Sequence, residues 1–169
     1  MSRGLYVVMG VCGAGKSLIG QALAQALGVH FIEGDVFHPD ENVARMAAGV
    51  PLTDADRAGW LRALAARIAI NDPGSGMVMS CSALKRSYRD VLRSGDGDVQ
   101  FIFLRGSREL IAERVAGRRG HYMPKSLVES QFATLEEPSP DEDAWVCDAS
   151  DAPEEIVAAL VARIAARHA

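Results

Sequence analysis

At 169 residues, 49% apolar and 24% charged, the chain has the size and composition of one globular domain that buries roughly two-thirds of its unfolded surface. A formal net charge of −4 argues against a general nucleic-acid or anionic-membrane surface, so local basic clusters must answer to local anions. No apolar run reaches transmembrane length, and three cysteines without metal-like or C-x-x-C spacing predict reduced thiols in a cytoplasmic protein.

The first apolar run, LYVVM (5–9), predicts a buried strand, and an amphipathic helix is predicted from residue 17 to 27. Between them residues 10–17 read GVCGAGKS, the complete pattern G-x-x-x-x-G-K-S/T in its strand–loop–helix setting. Gly10, Val11, Cys12, Gly13, Ala14, Gly15, Lys16, Ser17 and Leu18 are therefore the expected nucleotide cradle. Small residues let several backbone N–H groups converge on a phosphate, and the following helix N-terminus adds partial positive charge. Lys16 is expected to reach the β- and γ-phosphates and the Ser17 hydroxyl to ligate Mg²⁺. Cys12 reads as a small filler at a variable position. The loop alone leaves phosphoryl transfer, switching and mechanical work open.

Further along, VHFIE (29–33) predicts a second strand, followed by helices over 39–48 and 54–70 and a turn at 71–76. MVMSCS (77–82) precedes a predicted helix over 83–93, and VQFIFL (99–104) precedes one over 107–117. WVCD (145–148) leads to a last helix over 153–167, marked by Pro153 at its start and by Glu154 and Glu155 in its first turn. Short apolar strands alternating with helices predict an α/β three-layer sandwich with a five-stranded parallel sheet. Two stretches exceed simple connections. Residues 38–60 read as an acceptor-binding insertion and 117–140 as a closing lid, because ligands bind beyond the carboxyl ends of such strands.

Asp35 follows the second strand and is aimed at the phosphate loop, where an acceptor hydroxyl needs a group to orient it and take its proton. Glu33 is expected to support Mg²⁺ through water, since the third strand ends in S-C-S without an acidic residue. Arg114 and Arg118 lie four apart on one helical face, with Arg119 following. Planar guanidinium groups there suit an adenine contact for Arg114 and phosphate contacts for Arg118 and Arg119. His38, Arg57, Lys85 and Arg89 form a candidate set for an anionic or polyhydroxylated acceptor, Lys85 and Arg89 sharing a helical face at i, i+4. Trp60, Trp145 and Tyr122 read as packing or lid residues. No D-x-x-G switch motif follows the third strand, which argues against a GTPase.

MGVCGAGKS, EGDVFHP, RMAAGVPLTDADRAGWL (45–61), CSALKRSYRDVLR (81–93) and QFATLEEP (131–138) together resemble the thermoresistant gluconokinase family of P-loop small-molecule kinases, over nearly the whole chain. RVAGRRGH also resembles the start of the lid in adenylate kinases. The resemblance implies a P-loop NTPase fold like that of nucleoside monophosphate kinases. It further implies ATP- and Mg²⁺-dependent phosphorylation of D-gluconate at its terminal hydroxyl, usually by a homodimer, with Asp35 facing that hydroxyl. Charge alone selects Arg57 and Lys85 for the acceptor carboxylate. Two departures are mild: Glu33 stands where aspartate is common, and Cys12 where serine often stands. The alternatives are a kinase for shikimate or a nucleoside monophosphate, or a non-catalytic nucleotide-binding module.

Overall fold

The structure is a computed structural model that describes residues 4–72, 74–117 and 125–169. Its apolar runs form β1 (Leu5–Met9), β2 (His30–Glu33), β3 (Met77–Ser80), β4 (Val99–Arg105) and β5 (Trp145–Asp148). They make one parallel sheet in the order β2–β3–β1–β4–β5. Helices α1 (Lys16–Leu27), α2 (Asp40–Ala47), α3 (Asp54–Ala69), α4 (Arg86–Arg93), α5 (Arg108–Ala116), α6 (Lys125–Thr134) and α7 (Pro153–Arg167) complete the fold. The expected α/β fold with five parallel strands is what forms.

The strands need no polar alternation because helices cover both faces. Val7, Val8, Met9, Val78, Met79, Ile102 and Phe103 are all almost fully buried, each contributing about 1.5–3 kcal/mol on transfer from water. The chain runs from β1 out to β2 at one margin, returns to β3 beside β1, then crosses β1 to β4 and on to β5 at the other margin. The end of β1 is therefore the switch point at which a crevice opens.

Helix ends follow local chemistry. Thr53 caps α3 in a reciprocal box with Asp56, and Ser107 caps α5 through the Leu110 N–H. One predicted helix starts late. The segment expected to be helical from residue 83 begins at Arg86, because Ala83 has φ 46° and Lys85 is extended. Arg89 holds that conformation by donating from Nη1 to the Ala83 carbonyl at 2.8 Å. Lys85 and Arg89 consequently do not share a helical face, contrary to the spacing argument.

Candidate functional site

Residues 10–15 leave β1 and arch over the N-terminus of α1. Gly15 stands at φ 98°, a conformation that side chains with a Cβ resist, and so lets α1 start directly beneath the arch. Lys16 Nζ donates to the Val11 carbonyl at 2.9 Å, so the ammonium spans the loop. The cavity over this arch measures about 440 Å³ and is lined by residues 12–19, Asp35 and Arg114. On its far side stand Ala149, Asp151, Pro153 and Ile156.

A carboxylate reaches the loop from β2. Glu33 accepts a very short hydrogen bond from Ser17 Oγ, and its other oxygen accepts from Ser80 Oγ at 2.6 Å. Glu33 and Ser80 are partners in the β2–β3 register, so the third strand supplies a hydroxyl that steers its neighbour's acid. The carboxylate beside Ser17 thus comes from β2, where β3 ends without an acid. Ser17 and Glu33 are adjacent hard oxygen donors, the set that suits a divalent cation also ligated by water and phosphate oxygens.

The 3-10 turn Gly34–Phe37 carries Asp35 to the opening of the cavity. Buried Trp60 donates from Nε1 to the Gly34 carbonyl at 2.8 Å, and the Gly34 N–H faces Ser80 Oγ. Gly34 has no room for a side chain: a Cβ there would stand 2.2 Å from the Ser80 carbonyl oxygen. Gly34→Ala is therefore expected to lower unfolding free energy by roughly 1–3 kcal/mol through overpacking. It should also lower kcat, since the same displacement moves Asp35. An unchanged urea midpoint together with wild-type kcat would show that the turn has slack.

A second cavity, about 40 Å³, adjoins the first and shares Cys12, Lys16 and Asp35 with it. Its other lining residues are His38, Met46, Leu52, Arg57, Ser82, Leu84 and Gln131. His38 stacks on Trp60, with ring centroids 4.0 Å apart and planes 16° apart, and its Nδ1 lies 3.2 Å from Asn42 Nδ2. Burial pushes the His38 pKa down; Asp35 opposes that shift and Arg57 reinforces it. The ring is neutral at pH 7. Arg57 Nη1 donates to the Tyr88 hydroxyl at 3.0 Å, and that hydroxyl in turn donates to Asp54.

Asp35, His38 and Arg57 are thus gathered around one cavity with Lys16, while Lys85 is absent from its wall. Lys85 is paired with Asp54 at 3.0 Å beside the Tyr88 ring. Arg89 requires correction as an acceptor ligand. It is fully buried, paired with Glu142 at 2.6 Å, and lines neither cavity. Its charge was assigned to a ligand because its true partner lies 53 residues away in sequence. Arg114 lines the nucleotide cavity, where Nη2 donates to the Ala149 carbonyl at 2.6 Å and Nη1 reaches the Gly13 and Ala14 carbonyls at 3.5 Å. Arg118 and Arg119 lie outside the described residues, as does Tyr122.

Sequence reasoning missed several residues. Ala149, Asp151 and Pro153 follow the fifth strand at the sheet's ligand edge, so the strand-end rule could have found them. Asn42, buried and four residues after His38, also donates to the Asp56 carbonyl at 2.9 Å, and that spacing was the available signal. Cys81 is buried near Asp35, and desolvation pushes its thiol up to about 12, which leaves it unreactive.

Two cavities meeting at Lys16 and Asp35 suit a phosphoryl donor and an acceptor held in line. That arrangement on this sheet places the protein among the P-loop kinases of small molecules. The family model for shikimate kinase matches residues 12–165. A gluconokinase of Gluconobacter oxydans is 50% identical over 137 residues, which are 80% of this chain and 77% of that protein. The thermoresistant gluconokinase of Escherichia coli is 41% identical over 159 residues, 93% of this chain and 91% of that one. A crystal structure of a gluconokinase from Sinorhizobium meliloti superposes with a TM-score of 0.88 at 47% identity, covering 97% of this chain and 93% of the other. The chain belongs to the gluconokinase family, within a shikimate-kinase-like group.

Proposed function

We propose that the protein transfers the γ-phosphoryl group of ATP to the terminal hydroxyl of D-gluconate, giving 6-phospho-D-gluconate. The observation that carries the reaction class is the meeting of the two cavities at Lys16 and Asp35. The choice of acceptor rests on the likeness to gluconokinases at 41–50% identity.

In this reading the phosphate loop and Lys16 hold the β- and γ-phosphates, and Arg114 stands at the adenine end with Ala149 and Pro153. Phosphate contacts are the role proposed for Arg118 and Arg119, which lie outside the described residues. Ser17 and Glu33 would hold Mg²⁺, which when bound neutralises phosphate charge and orients the phosphates. Asp35 orients the acceptor hydroxyl and takes its proton late in an in-line transfer without a phosphoenzyme. Arg57 meets the acceptor carboxylate, and Lys85 joins it by exchanging Asp54 for the acceptor. His38 donates from Nε2 to an acceptor hydroxyl, since Asn42 supplies the hydrogen at Nδ1. The second cavity has room for a few waters only, so the arm formed by α2 and residues 48–53 moves outward to admit a six-carbon acid.

The reading extends to a cytoplasmic homodimer of one-domain subunits with no nucleic-acid or membrane partner; no helix among the described residues is long and apolar enough to cross a membrane. The shikimate kinase family match makes shikimate the rival acceptor. A panel of gluconate, shikimate and nucleoside monophosphates with Mg-ATP separates them by the rate of ADP release and the mass of the product. Gluconate is expected to turn over fastest. Equal or faster turnover of another acceptor would overturn the assignment.

A further inference from the structure

One polar side chain at the junction of the cavities has no part in the reaction as described. Gln131 on α6 accepts the Cys12 backbone N–H through Oε1 at 2.6 Å, across 119 residues of sequence. The helix that carries it is firmly seated. Leu127 and Val128 are buried, Phe132 and Leu135 pack against the core, and beyond α6 the Glu136 N–H donates to the Leu84 carbonyl at 2.7 Å.

An amide whose oxygen takes an N–H has a defined orientation, so Nε2 with its two hydrogens is the end that remains. Nε2 has no acceptor among the described residues, and Gln131 lines the second cavity with Lys16, Asp35 and Arg57. Cys12, which Gln131 touches, lines both cavities. The carboxamide thus stands beside a residue that the two cavities share.

We propose that Gln131 is a hydrogen-bond donor to the transferred phosphoryl group, with Oε1 anchored on the phosphate loop and Nε2 directed at an equatorial oxygen. This rests on the kinase reading above and deepens it. Negative charge spreads over the three equatorial oxygens during transfer, so a donor fixed in advance acts most strongly in the transition state. Neither a bond nor a proton changes hands at Gln131. A neutral amide suits both tasks at once, because one end accepts and the other donates.

Two substitutions separate anchor from donor. Gln131→Glu keeps an oxygen for the Cys12 N–H at the same reach and removes the donor; Gln131→Ala removes both. Both variants are expected to lower kcat by about 100-fold, the scale of a lost transition-state donor. KM for ATP and for the acceptor should stay within about threefold. Gln131→Glu should be at least as impaired as Gln131→Ala, with the thermal midpoint of Gln131→Glu near that of wild type. Wild-type kcat in Gln131→Glu would reduce the residue to a loop anchor and overturn the proposal. So would a raised acceptor KM at unchanged kcat. Each variant is assayed on whichever acceptor the wild-type protein uses best, so an error in the gluconate assignment shows in the wild-type panel and not in these ratios.

Discussion

Asp35→Ala is expected to lower kcat by roughly 10²–10⁴-fold, the range for a positioned acid–base group, with little change in ATP affinity. The separation follows from geometry. Asp35 is the exposed carboxylate at the boundary of the two cavities, on a turn fixed by Trp60 and Ser80. The phosphate loop is held by other contacts, those of its own backbone, of Lys16 on Val11 and of Gln131 on the Cys12 N–H. Losing the carboxylate leaves the cradle intact and the acceptor hydroxyl unaligned. Asp35→Asn refines the test, because the amide still accepts a hydrogen bond but takes no proton. Since the proton leaves late in a loose transition state, orientation supplies part of the effect and the asparagine variant should fall between alanine and wild type. Steady-state kinetics with both substrates and a separate nucleotide titration check this. Wild-type kcat in Asp35→Ala would remove the residue from the mechanism.

Arg89→Ala is expected to destabilise the fold by about 3–5 kcal/mol, the cost of leaving one member of a buried ion pair behind. Arg89 and Glu142 have side-chain exposures of 0% and 1%, and are joined at 2.6 and 3.0 Å. Glu142 also accepts from Arg93 at 2.8 Å and from the Ser139 N–H at 2.9 Å. Burial alone would push the Glu142 carboxyl up, but the hydrogen bonds from Arg89, Arg93 and Ser139 outweigh it and hold the group at about 2. A carboxyl depressed in the folded state adds stability that is complete above its unfolded value, about 4.3, and is lost as pH falls towards 2. Urea midpoints measured between pH 6 and pH 2.5 should therefore fall in the wild-type protein, and this component of the slope should shrink in Arg89→Ala. Replacing both partners, Arg89→Met with Glu142→Leu, is expected to restore much of the stability because no charge is left unpaired. A single variant as stable as wild type would refute the account.

The same network explains what was and was not legible in the amino-acid sequence. The phosphate loop was legible because all its chemistry lies within residues 10–17, and the strands because burial on both faces leaves continuous apolar runs. Arg89 was misread because a cation looks the same whether its partner is a ligand or Glu142. No local pattern ties RSYRD to the acidic turn at 139–142. The helical pairing of Lys85 with Arg89 failed at Ala83, whose left-handed backbone no residue preference announces. Gln131 belongs to a block that the family resemblance had marked, yet its contact with Cys12 exists only once α6 is folded against the loop.

The strand order also roots the two sides of the proposed site in different strands. The phosphate loop hangs from β1, which has a neighbour on each side, whereas the turn bearing Asp35 and the arm α2–α3 hang from β2 at the sheet's margin. Substitutions in that marginal arm reshape what is admitted without disturbing the nucleotide cradle. Descent with a changed acceptor is therefore open to this architecture, because the donor-facing and acceptor-facing parts of the proposed site are rooted in different strands.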